Sequence, residues 1–198
     1  MCLKKQCIFF LALVLMVIPL ASGVQAQDDP YKVIATQGDL DQVASTVQRL
    51  LSSFFSMTFR VPVRFLLVSG KKLDELYAGE YRGAQIGLYR RKGADHEIYM
   101  IEGKNKDIAT GVTAHELTHA WQNENCVPGQ SRVLVEGFAS WIQYKVYQKT
   151  GAYILSQRML ETADPVYGVG FKRMLEWEDK LGERAVIQKA QKARTIDD

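Results

Sequence analysis

The chain has 198 residues, with 25 Lys+Arg against 22 Asp+Glu, 47% hydrophobic and 24% charged residues. Those proportions exclude a disordered tail, a collagen and a coiled coil, and the length suits one domain with a real core. A formal charge of +3 with scattered signs excludes the basic stripe of a nucleic-acid binder, and no run of like charge points to a polyanion or a membrane surface.

Lys4 and Lys5 precede an apolar run, Ile8–Leu20, followed by Ala21-Ser22-Gly23-Val24-Gln25-Ala26. A charged start, an apolar centre and small residues at Val24 and Ala26 describe a secretory signal, residues 1–26, cleaved after Ala26. The run is shorter than the roughly 18–20 residues of a spanning helix, and Pro19 interrupts its end. Residues 27–198 therefore read as a single exported domain, secreted or periplasmic, with no stable membrane span. Export removes Lys4 and Lys5, leaving 23 of the 25 positive residues against 22 negative, and leaves Cys126 as the last of the three cysteines. One thiol makes no internal disulfide, and no Cys-protease signature surrounds it, so Cys126 reads as a small packed residue.

The first helix opens near Asp39, a capping residue type. Leu40, Val43, Ala44, Val47, Leu50, Leu51 and Phe54 form its apolar stripe. Val61–Val68 is β-branched and apolar, a strand ended by Ser69-Gly70. Gln85–Tyr89 and Glu97–Ile101 read as two short strands, joined as a hairpin across Lys92-Gly93-Ala94-Asp95. From Val112 onward the pattern is helical. Helices are expected over Val112 to about Asn123, Val133 to about Lys149, Gly168 to Leu181, and from Glu183 toward the C-terminus. Strands first and helices after is an α+β order.

The second half of the chain carries the chemistry. His115-Glu116-Leu117-Thr118-His119 is the H-E-x-x-H pattern, and it uses two of the three histidines. On a helix, residues four apart share a face, so two imidazoles can converge on one ion. Glu116 is offset around the helix and is free to act on a metal-bound water as general base. Three protein ligands plus a water describe a catalytic Zn2+ site. Gln122 and Asn125 stand where a metzincin needs Gly and His, so that class is excluded. His96, in a strand before the motif, reads as a surface or cleft-wall residue. Glu136, 17 residues after His119, is the better third ligand. It lies off the face formed by Leu134, Val135, Phe138, Trp141, Ile142 and Val146, together with Ser140 and Gln143; a solvated glutamate is the competing reading. Gly137 beside it costs about 1 kcal/mol inside a helix, which suggests close approach of another element.

His115–Trp121, then Val135-Glu136-Gly137, then Tyr167-Gly168-Val169-Gly170-Phe171 resemble the peptidase domain of plant LIM-domain growth-regulating peptidases and its stand-alone bacterial relatives. The resemblance spans about residues 60–190 and rests on those three stretches. It implies a gluzincin with a zincin-like α+β fold: a small N-terminal sheet with helices, then a helical half carrying the active-site helix. It implies His115, His119 and Glu136 on zinc and Glu116 as base. The LIM and ubiquitin-interacting modules of the plant proteins have no counterpart here, so their substrates and regulation do not transfer. A second stretch, Thr162-Ala163-Asp164-Pro165-Val166-Tyr167-Gly168, is similar to part of the aspzincin signature, which would make Asp164 the third ligand. Asp-Pro is equally a common turn pair. Under either resemblance Tyr167 falls at the site, where its phenol could donate to an oxyanion; an ordinary packed tyrosine is the competing reading.

The expected reaction is hydrolysis of a peptide or protein substrate, whose extended backbone pairs with the strand Glu97–Ile101. A zinc-holding binding or inhibitor module without turnover is the rival of another class. An amidase acting on cell-wall peptides uses the same groups.

Overall fold

The computed structural model describes residues 32–77 and 85–198. The signal sequence expected at residues 1–26 lies outside them. Seven helices and three strands are formed among the described residues: α1 (Gln37–Phe55), β1 (Val63–Val68), α2 (Gly70–Leu76), β2 (Gly87–Lys92), β3 (Asp95–Ile101), α3 (Lys106–Asn125), α4 (Arg132–Thr150), α5 (Tyr153–Leu160), α6 (Tyr167–Leu181) and α7 (Glu183–Lys192). The class is α+β, as expected. None of the described helices is long and apolar enough to cross a membrane.

Helix α1 begins three residues earlier than a cap at Asp39 would place it, because Thr36 is the cap. Thr36 Oγ1 accepts the Asp39 amide, and the Asp39 carboxylate accepts the Thr36 amide in return, a reciprocal capping box. The buried stripe is Leu40, Val43, Ala44, Val47, Leu51 and Phe55. Phe54, expected in that stripe, is 50% exposed, whereas Phe55 is 3% exposed. The 3.6-residue period runs 44, 47, 51, 55 and leaves Phe54 on the rim, where the Lys149 ammonium sits 4.6 Å from its ring centre.

The sheet order is β1-β3-β2, with β1 parallel and β2 antiparallel to β3. The β2–β3 turn falls where Gly93 supplies a φ of +65°. The strand Glu97–Ile101 belongs to β3, the central strand, so both its edges are already paired. Substrate pairing there, expected from the sequence, is corrected: the outer edge of β2 is the one beside the cleft and pairs with no strand among the described residues.

His96 also differs from expectation. It is 2% exposed and lies inside the hairpin, not at a surface or cleft wall. Its Nε2 lies 3.1 Å from Glu124 Oε1 and its Nδ1 2.8 Å from the Tyr89 hydroxyl. The Glu124 carboxylate also accepts the amides of Arg60 and Val61, at 2.8 and 3.1 Å. Burial raises the pKa of Glu124, but these donors and His96 more than offset it and hold the carboxyl below its ordinary value. This cluster fastens the sheet to the end of α3.

Helix α3 is buried on nearly every side, packed between α1, the sheet and α4. It starts six residues before the sequence suggests, capped by Asn105, whose side chain accepts the Ile108 amide at 2.8 Å. The sequence pattern becomes helical only after Gly111. In the fold, Gly111 is helical and a side chain there would overlap the Tyr147 ring of α4. Helices α3 and α4 run antiparallel, with Trp121, Phe138 and Trp141 stacked through the core at 5.8–5.9 Å between ring centres.

Helix α6 crosses α4 at Gly137 and Gly170, where the two backbones touch: a Cβ on Gly170 would overlap the Val133 carbonyl, and one on Gly137 would overlap the Gly170 backbone. The close approach read from Gly137 is present. Backbone cannot move aside as a side chain can, so Gly137→Ala should destabilise by about 1–3 kcal/mol or more despite its better helix propensity. Urea unfolding checks this; an unchanged midpoint would mean that the crossing is slack.

Candidate metal centre

His115 and His119 lie one turn apart on α3 and face Glu136, which the first turns of α4 bring opposite them. Among the described residues this is the group suited to hold a metal ion, its three donor atoms all within 4.8 Å of one another. His115 Nε2 is 3.3 Å and His119 Nε2 3.4 Å from the same oxygen, Glu136 Oε2. Donors held at about 2.0–2.1 Å around a tetrahedral ion lie about 3.3–3.4 Å apart, which is the separation of each histidine nitrogen from Glu136 Oε2. The rings stand nearly perpendicular, at 85°, with centres 4.8 Å apart. Lone pairs of imidazole and carboxylate converge in this way only around a proton or a cation.

The charges respond accordingly. Burial pushes the Glu136 carboxyl up, but hydrogen bonding to His115 and His119 outweighs it and holds the group well below the ordinary carboxylate range. Burial would lower the His119 pKa, but its hydrogen bond to Glu136 and the charges of Glu116 and Glu136 reverse that and raise it. Both directions favour charged partners at one point.

Glu116 is buried beneath β2 and stands outside the donor group. A Cβ on Gly87 would come within 2.6 Å of Val112 Cγ1 and 3.0 Å of Glu116 Cγ and Oε1, so the strand passes over this carboxylate only because residue 87 is glycine. Tyr167, at the start of α6, places its ring centre 6.0 Å from that of His115. Burial, then the Glu136 charge, raises its pKa, with Arg132 opposing, so its phenol remains a donor at neutral pH. Asp164, the alternative ligand, is otherwise engaged: its Oδ1 accepts the amides of Val166 and Tyr167, both at 2.8 Å, and starts α6. It does not belong to the donor group.

A cleft of about 1820 Å³ runs past these residues, with β2 on one wall and α4 and the Asp164–Tyr167 segment on the other. Glu136, Ser140 and Gln143 line it together, so the face of α4 turned away from the core is the face turned toward the cleft. Cys126 lies at one end, half-buried and unbridged, and burial pushes its thiol up to about 12, which suits packing and not nucleophilic attack.

Three contributors escape a sequence reading. Tyr77 donates to the Gly87 carbonyl at 2.6 Å and lines the cleft beside Glu116. Tyr89 lays its ring 6.3 Å from that of His119. Gln122 contacts His119 directly and, at three residues' distance on the same helix, was the one with a local signal. Comparison with protein-family models, with curated proteins and with solved structures gave no match.

Proposed function

We propose that this chain is an exported zinc-dependent peptidase that cleaves peptide bonds of a peptide or protein substrate, with Glu116 as general base. The observation that carries the reading is the convergence of His115 Nε2 and His119 Nε2 on Glu136 Oε2, at 3.3 and 3.4 Å, in the lining of an open cleft. Two imidazoles and one carboxylate are a donor set that suits zinc. The resemblance to gluzincin peptidases through the same residues supports it. Zinc held there would supply a Lewis acid and a water acidified toward a pKa of about 7.

The protein's own groups do the rest. Glu116 would act as the general base, taking a proton from the attacking water and passing it to the leaving amine. Tyr167 donates from its phenol to the oxyanion that develops on the scissile carbonyl. The substrate backbone lies along the outer edge of β2, adding a strand by main-chain hydrogen bonds, while Gly87 keeps that strand close to Glu116.

Chelation tests this reading. Dialysis against a strong chelator should abolish cleavage of a panel of unfolded proteins and cell-wall peptides, and one equivalent of zinc should restore it. The stripped protein should also melt lower, since zinc at 100 times its Kd stabilises by about 2.7 kcal/mol. Zinc bound without cleavage of any substrate would leave a zinc-holding binding module instead. Export belongs to the same proposal: N-terminal sequencing of secreted material should begin at Gln27, and a stable membrane-embedded full-length chain would contradict it.

A further inference from the structure

We propose that Gln122 is a positioning residue that fixes the ring nitrogen His119 presents to the metal, and that it ties this choice to the helix bearing the third ligand. The inference rests on the metal-centre reading above and adds a component to it.

Hydrogen-bond bookkeeping at Gln122 leaves one solution. The residue is buried, at 7% exposed, so its polar atoms must find partners inside the protein. One end of its amide lies 3.0 Å from the Val135 carbonyl oxygen and the other 2.9 Å from His119 Nδ1. A carbonyl oxygen only accepts, so the NH2 group must face Val135. The amide oxygen is then committed to His119, and an amide oxygen also only accepts. Nδ1 of His119 must therefore carry a proton. With Nδ1 protonated, the neutral ring has its lone pair on Nε2, the atom 3.4 Å from Glu136 Oε2. The ligand form of His119 is selected by a main-chain carbonyl two bonds of the network away.

The chain of contacts also links the two helices of the site. Val135 immediately precedes Glu136, so one hydrogen-bonded path runs from the backbone beside the carboxylate ligand to a histidine ligand on α3. His115 has no such support. Its Nδ1 is buried and makes no hydrogen bond among the described residues. Aromatic rings flank both histidines, Tyr89 at 6.3 Å from His119 and Tyr167 at 6.0 Å from His115, so the difference between the two lies in the hydrogen bond. His119 is thus the pre-set ligand, and His115 is the one whose ring the bound ion must orient.

Two substitutions separate a role through His119 from a simple strut between helices. Gln122→Met keeps the length and deletes both hydrogen bonds. Gln122→Glu keeps an acceptor for His119 Nδ1 but loses the donor to Val135. Zinc affinity is measured by competition with a chromophoric chelator, the His119 Nδ1–H resonance of the zinc-loaded protein by NMR, and folding of the metal-free proteins by thermal melting. Gln122→Met should bind zinc about 10–100-fold more weakly, the range for losing a hydrogen bond behind a ligand, and its Nδ1–H should exchange too fast to observe. Gln122→Glu should stay within a few fold of the parent and keep that resonance. Zinc affinity in Gln122→Met equal to the parent's would overturn the proposal, as would equal losses in both variants, which would reduce Gln122 to a strut. A folded parent that binds no zinc would instead sink the metal-centre reading itself.

Discussion

The Glu116→Gln protein should keep its zinc and lose hydrolysis by about 10²–10⁴-fold or more, the range for removing a general base. Gln has the shape of Glu and fits beneath Gly87, where the space is set by a strand with no side chain in the way. Glu116 stands outside the donor group, so metal content has no reason to change. What changes is basicity: an amide cannot take a proton from water at neutral pH. Zinc stoichiometry and turnover on the same preparation check both halves. Cleavage at the parent rate would remove Glu116 from the mechanism, and loss of zinc would make it a ligand.

Glu136→Ala should purify with little zinc and no activity, its zinc affinity falling by more than the roughly 10–100-fold of an outer hydrogen-bonding partner. The two histidines would then remain on one helix with nothing opposite them. Asp164→Ala is the contrasting case. Its carboxylate holds two backbone amides at the start of α6, so losing it should cost about 0.5–2 kcal/mol of stability, as helix caps do, while the metal stays. Zinc retained by Glu136→Ala and lost by Asp164→Ala would reverse the ligand assignment.

Local periodicity made much of this legible. The α1 stripe, the β2–β3 hairpin with its glycine, and α4 with the offset position of Glu136 depend on neighbours within a turn or two. The histidine pair did as well, since residues four apart meet wherever a helix forms. Effects that need distant partners were missed. Gly111 fell outside the expected helix because the Tyr147 ring it admits is 36 residues away. The central place of β3 followed from parallel pairing with β1, Val63 opposite His96, which no hairpin signal announces. His96 looked like a surface group because its acceptor, Glu124, arrives from the far end of another helix. Helix α5 gave little signal, with Tyr153 and Ile154 lying exposed on it. Phe54 and Phe55 show how one residue of phase decides which ring is buried.

The outer edge of β2 pairs with no strand among the described residues, and an open edge can pair with the same strand of a second copy. Its sequence is Gly87-Leu88-Tyr89-Arg90-Arg91-Lys92, and the last three residues are exposed cations. Two such edges brought together would gather six positive charges along one short seam, with no carboxylate of β2 between them, and edge charges of this kind discourage self-pairing. The row of exposed cations on β2 therefore discourages concentrated protein from polymerising through this edge.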